Sequence, residues 1–233
     1  MAQVAPESEI RYMNSSFFGA PASDPESIYR QMPSPAVDQA WDRITAVRWF
    51  FVDRVDIELQ GKDPSLVVKA PAELTGGAEK YIAEFDVQHQ LHCLNEVRKV
   101  VYYDYYYSEK FGLEGPDDLF WLHMGHCIDS LRQTIQCQAN MDLVTNNWVQ
   151  PLDLPWPDFN VQHMCRNHDA ILAWQEANQF DDDQFDALRK PEGAKLTPME
   201  EGYFKMFPWK KEGGRAAAQE AAPQAHGHGH HHH

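Results

Sequence analysis

His89-Gln90-Leu91-His92-Cys93 returns thirty-four positions later as His123-Met124-Gly125-His126-Cys127, with both histidines and the cysteine in register. Six of the chain's 12 histidines (His226, His228 and His230 to His233) stand in the terminal HGHGHHHH, which reads as a purification tag. Of the six others, four belong to this repeat, and the last two are His163 and His168. On a helix, residues three apart share a face, so His89 and His92 can aim at one ion, as can His123 and His126. Around the first motif Leu91, Leu94, Val97 and Val101 repeat at three- and four-residue steps, predicting a helix over 86–109. Around the second, Ile128, Leu131 and Ile135 predict a helix over 117–139. Neither pair closes a coordination sphere, so the two helices must face each other or recruit His163 and His168.

Outward from these helices the pattern is mainly α with a small β element (α+β). Residues 1–35 carry five prolines and no lasting periodicity, and read as an extended N-terminal arm. Ser34-Pro35 opens a helix over 36–44, with Val37, Ala40, Trp41 and Ile44 on one face. Alternation over 48–59 predicts a strand or hairpin piece, with 65–69 as its partner. Pro151, Pro155 and Pro157 mark a loop, and a third helix over 160–178 carries His163, Cys165 and His168. The run Tyr102-Tyr103-Asp104-Tyr105-Tyr106-Tyr107 reads as a helix end laying rings on the core, with a radical relay as the sharper alternative. The expected organisation is an arm at 1–35, a metal-binding catalytic domain at 36–180, a peripheral acidic segment at 181–212, and linker and tag at 213–233.

Composition narrows the function. Hydrophobic content of 43% supports a folded core. A net charge of −15 argues against nucleic acid or an anionic membrane surface as partner, because phosphate binding needs clustered cations. No apolar run approaches the roughly 18 residues of a membrane span. Four cysteines (Cys93, Cys127, Cys137 and Cys165) and the sequon Asn14-Ser15-Ser16 tilt towards an oxidising compartment and glycosylation at Asn14.

Imidazole-only sites suit copper and zinc and also serve iron and nickel. A non-haem iron site wants a carboxylate, yet Glu84, Asp86 and Asp129 stand at no clear ligand spacing. Structural zinc, closed by imidazoles with or without thiolates, is the plainer alternative. Cysteines directly after a histidine could make a thiolate-copper centre, but an oxidising compartment favours disulfides. On one continuous helix Cys127 and Cys137 lie roughly 15 Å apart, beyond the ~7 Å reach of a disulfide. Two connectivities remain. Cys93–Cys127 with Cys137–Cys165 fits best with two motif helices meeting at one site.

At these residues the chain resembles the fungal UstYa-like oxidases, over about 29–174. The resemblance rests on Tyr29-Arg30 through Pro33-Ser34-Pro35 to Trp41, and on His89-Gln90-Leu91-His92-Cys93-Leu94-Asn95 with Arg98. It continues through His126-Cys127-Ile128-Asp129-Ser130-Leu131-Arg132-Gln133 with Cys137, His163-x-Cys165-Arg166-Asn167, and Trp174. It implies a copper enzyme of fungal secondary metabolism, with one or two coppers, dioxygen as co-substrate and in some members halide. The substrate would be a small-molecule or peptide natural-product precursor, whose C–H bonds are halogenated, hydroxylated or oxidatively cyclised. His89, His92, His123 and His126 match the family's ligand motifs and His163 its later histidine. Gly125 stands where an Asp is common, and His168 where an aromatic residue is usual. The resemblance also implies a secretory-pathway protein with a lumenal catalytic domain, anchored by an N-terminal helix absent from this chain, and a homo- or hetero-oligomer with a family member. Arg98 and Arg132 are candidates to hold an anionic substrate or halide, with ion pairing on a polar helix face as the plainer reading. Trp121, Tyr103 and Trp148 are candidate pocket walls or core residues. Two other functions are a non-catalytic partner subunit of a heteromeric oxidase and a zinc-stabilised secreted binding module.

Overall fold

The computed structural model describes residues 8–13 and 27–207. Asn14 lies outside them. The architecture is mainly helical with three two-stranded antiparallel sheets among the described residues, as the sequence predicts.

The N-terminal arm holds a strand, β1 (Ser8–Met13). The first helix, α1 (Pro35–Thr45), starts as expected: Ser34 Oγ accepts the Val37 amide at 3.3 Å, and proline occupies the first turn, where no amide donor is needed. It buries Val37, Trp41 and Thr45.

The strand expected over 48–59 is confined to β2 (Phe50–Val52). The rest is a short helix, α2 (Arg54–Leu59), because Asp53 and Asp56 cap its start reciprocally. The 65–69 stretch is a 3-10 turn (Pro64–Leu66) with a single bridge from Lys69 to Tyr81. After α3 (Ala72–Thr75), the true partner of β2 is β3 (Tyr81–Ala83), in the register Phe51↔Ile82.

That small sheet sets the first motif helix, α4 (Asp86–Val101). Phe85 directly precedes α4. Its ring packs 4.6 Å from Phe50 and 5.6 Å from Trp174, and Phe50 meets Trp174 edge-on at 5.1 Å. Aromatic packing thus fixes where α4 begins, in place of a polar side-chain cap. Buried Gln88 adds a hydrogen bond to the Ile44 carbonyl at the end of α1.

The helix predicted to reach residue 109 breaks at Tyr102 into α5 (Tyr103–Tyr106) and α6 (Ser108–Phe111). The break lets two tyrosines fold back. Tyr106 donates its hydroxyl to Asp38, and buried Tyr107 donates to Glu96 at 3.1 Å. Tyr107 also packs edge-on against Phe120, tying this turn to the second motif helix.

That helix is α7 (Asp118–Gln138), capped by Asp117, whose carboxylate accepts the Phe120 amide at 2.9 Å. It packs on α4 and ends at Ala139 in the left-handed region. A hairpin follows, β4 (Thr145–Trp148) with β5 (Pro155–Asp158), where the sequence predicts a loop. The helix expected over 160–178 is strand first and helix second. The strand β6 (Val161–Arg166) pairs with β1, and α8 (His168–Asn178) begins after Asn167 caps it through the Ala170 amide at 3.0 Å. Half-burial alternates with exposure along β6, the period-2 signature of a strand. The short α9 (Asp182–Asp186) lays Phe185 on Trp49, ring centroids 4.0 Å apart. This first compact unit is Met1–Glu192; the second, Gly193–His233, holds α10 (Glu201–Met206). Among the described residues no helix is long and apolar enough to cross a membrane.

Candidate metal centre

The two motif helices run antiparallel across each other, so the repeats cross-pair. His89 meets His126, with Nε2 atoms 3.3 Å apart and ring centroids 5.3 Å apart. His92 meets His123, with centroids 5.8 Å apart. Each motif's first histidine also touches its own cysteine one turn on. Cys93 Sγ lies 3.7 Å from His89 Nε2, and Cys127 Sγ 3.6 Å from His123 Nε2. The duplicated sequence therefore makes a local pseudo-twofold arrangement, with Cys93 and Cys127 buried at its centre as hydrogen-bonded neighbours. Within it, one ligand atom each from His89, Cys93 and His126 lie inside 4.8 Å of one another.

The electrostatics follow from burial. Desolvation lowers the pKa of His92, opposed by Glu96 and reinforced by His123. Burial pushes both the Cys93 and Cys127 thiols up. The carboxylate of Glu96, itself raised by burial, is held below its ordinary range by Lys99 at 2.8 Å, by His92 and by the Tyr107 hydroxyl. On the outer side Asp86 stands 4.0 Å from His89 Nδ1, behind the nitrogen that faces His126. Histidines 123 and 126 are exposed, so the quartet opens to solvent on the α7 side.

The remaining predicted residues lie apart from the quartet. His163 Nδ1 sits 2.6 Å from Asp142 Oδ2 and 2.7 Å from Asn140. Both partners follow the C-terminal end of α7, roughly 18 Å beyond His126 at about 1.5 Å per residue. His168 is the first residue of α8, with its Nε2 buried and lacking a hydrogen-bond partner among the described residues. All four cysteines are free thiols; Cys137 is exposed near the end of α7 and Cys165 is half-buried on β6. Arg98 is a buried ion-pair partner of Asp38 at 3.1 Å, accepted also by Asn95 at 2.8 Å and held over the Trp41 and Tyr106 rings. Arg132 pairs on the surface with Asp129 at 2.7 Å. Of the proposed aromatic walls, Trp121 and Trp148 are exposed, not core.

Sequence reasoning missed Glu96, although it stands four positions after His92 on the same helix face. It also missed Asp142 and Asn140, which only the return of β6 brings to His163.

The family model described as "Mycotoxin biosynthesis protein UstYa" matches residues 2–178. The UstYa family oxidase aprY of Aspergillus flavus is 38% identical across 80% of this chain and 56% of its own length. The UstYa family oxidase phomYc of Diaporthe leptostromiformis is 32% identical across 67% of this chain and 61% of its own. Oxidase ustYa of Aspergillus flavus is 35% identical across 42% of each chain. The chain therefore spans a little over half the length of the curated relatives named first. No solved structure matches it. The cross-paired histidine motifs and these matches agree: the chain belongs to the UstYa family.

Proposed function

We propose that this chain is a copper-dependent oxidase of fungal secondary metabolism that functionalises C–H bonds of a natural-product precursor with dioxygen. Halogenation, hydroxylation and oxidative cyclisation are the outcomes open to it. The observation that carries the reading is the 3.3 Å separation of His89 Nε2 and His126 Nε2. Two nitrogens bound to one tetrahedral ion at about 2.0–2.1 Å stand roughly 3.3–3.4 Å apart, so the imidazoles are spaced as co-ligands. His92 and His123 sit beside them to complete or duplicate the set. Bound copper would supply one-electron chemistry with dioxygen, which no side chain here provides.

The chain's own part is binding and orientation. His89 and His126 present Nε2, and the Asp86 carboxylate, on the Nδ1 side of His89, favours the tautomer that leaves Nε2 free to bind. Exposure on the α7 side gives a bulky precursor direct access to the histidines. The relatives' names, which call them oxidases, support the reaction class.

A zinc-stabilised module is favoured by one observation: Cys93 belongs to the compact ligand group, and a mixed His and Cys set suits structural zinc. Metal analysis with electron paramagnetic resonance on tag-free protein separates the two. The copper reading expects about one or two coppers per chain with a nitrogen-rich signal, lost in His126→Ala. Stoichiometric zinc with a silent spectrum overturns it.

A further inference from the structure

We propose that Tyr107, Tyr106 and Tyr105 form a relay that carries a surplus oxidising equivalent from the histidine quartet to the surface. It would spare the histidines when no precursor is bound. The relay takes its oxidant from the oxidase reading: a centre able to break a C–H bond can also oxidise a phenol, whose O–H bond is weaker. The break after α4 puts the first ring at the site. The Tyr107 hydroxyl reaches α4 at Glu96, 3.1 Å away and one turn after His92. Its ring meets α7 edge-on at Phe120, with centroids 5.2 Å apart, one turn before His123. Tyr107 thus stands beside the His92 and His123 pair. From it the Tyr106 ring is 6.4 Å away, and Tyr105 is 4.8 Å from Tyr106, both within ring contact. Tyr107 is 7% exposed and Tyr105 54%, so the chain of rings runs from the interior to solvent. Phe111 and Phe120 also touch Tyr107, but a hydrocarbon ring is harder to oxidise than a phenol, so they confine the charge to the tyrosines.

Core packing alone accounts for the rings, and a buried phenol needs an acceptor that any carbonyl could supply. Here two successive tyrosines donate to carboxylates instead, Tyr107 to Glu96 and Tyr106 to Asp38. A carboxylate can also take the proton. When Tyr107 gives one electron to the oxidised centre, its phenolic proton passes to Glu96 Oε2, leaving a neutral tyrosyl radical and a carboxylic acid. Glu96 Oε1 stays paired with Lys99 at 2.8 Å. Tyr106 then gives one electron to Tyr107, which takes its proton back from Glu96, while the Tyr106 proton goes to Asp38. The Arg98 guanidinium, 5.0 Å from the Tyr106 ring centroid, opposes positive charge there, so the hole crosses Tyr106 as a neutral radical. Tyr105 repeats the step, giving an electron to Tyr106 and a proton to water, and Asp38 returns the Tyr106 proton. A small one-electron reductant in solution, a thiol or an enediol, restores Tyr105, which takes a proton from water.

A test in metal-free protein keeps the relay separable from the copper reading. A ruthenium polypyridyl photo-oxidant is attached to an exposed histidine of α7, His123 or His126, in the tag-free chain in EDTA. After flash-quench oxidation a tyrosyl radical should appear by transient absorption and electron paramagnetic resonance, forming more slowly in heavy water. Tyr107→Phe should cut its yield severalfold. Glu96→Gln, which still accepts the hydrogen bond but cannot take the proton, should slow its formation severalfold. Tyr105→Phe should leave the formation rate alone and lengthen the radical's survival in ascorbate. No tyrosyl radical in the wild type overturns the proposal. So does a yield unchanged by Tyr107→Phe, or a rate unchanged by Glu96→Gln. If Tyr107→Phe fails to fold by circular dichroism, the wild type and Glu96→Gln still decide.

Discussion

At the scale of single residues, burial decides which charged groups serve structure. Arg98 was a candidate anion contact, yet its guanidinium lies under Trp41 and Tyr106, with Nη2 bonded to Asp38 and Nε to Asn95. Glu84 is the opposite case. Its Oε2 is buried with no hydrogen-bond partner among the described residues, and burial, with Asp86 adding, raises its carboxyl above the ordinary 4.5. The unfolded group ionises at the lower pH, so between the two values the folded state holds the extra proton. Stability from this group is therefore lost as pH rises through the folded value and stays lost above it. Glu84→Gln should stabilise the protein by about 1 kcal/mol at pH 7, with the two proteins converging below pH 4.5. Urea melts across that range check it; a difference that does not change with pH would rule it out.

At the scale of elements, the placement of α4 depends on three rings. Phe85, Phe50 and Trp174 come from the start of α4, from β2 and from α8, and they pack where a polar cap would otherwise stand. Phe50→Ala removes the shared ring, which is 3% exposed. The expected cost is about 3–4 kcal/mol, read from the shift of the urea midpoint. A loss below about 1 kcal/mol would mean the cluster does not hold the helix. The motif helices were legible because their apolar positions recur at helical steps, and α1 because Ser34 is a capping residue placed before Pro35. The stretches at 48–59 and 160–178 were not. In the first, the Asp53–Asp56 reciprocal cap outweighs the β-branched alternation. In the second, a strand and a helix abut at Asn167, and the helical residues beyond it masked the alternation of Val161, His163 and Cys165.

At the scale of the whole molecule, metal binding and stability are linked. An ion held by the folded chain and not by the unfolded one raises the melting temperature by mass action. Calorimetry of the tag-free protein with and without added copper should show a rise of several degrees for the wild type and little or none for His126→Ala; a wild-type value indifferent to copper would count against a bound ion. By itself, the sequence determined the helical class and the two histidine pairs, because residues three or four apart on a helix share a face whatever surrounds them. Only the tertiary structure decided that the motifs cross antiparallel, so that His89 meets His126 and His92 meets His123. It alone carried His163 away to Asp142 and enclosed Arg98. Local spacing fixes which side chains point the same way; which of them meet depends on how α4, α7 and β6 pack, and that is set by contacts between residues far apart in the chain.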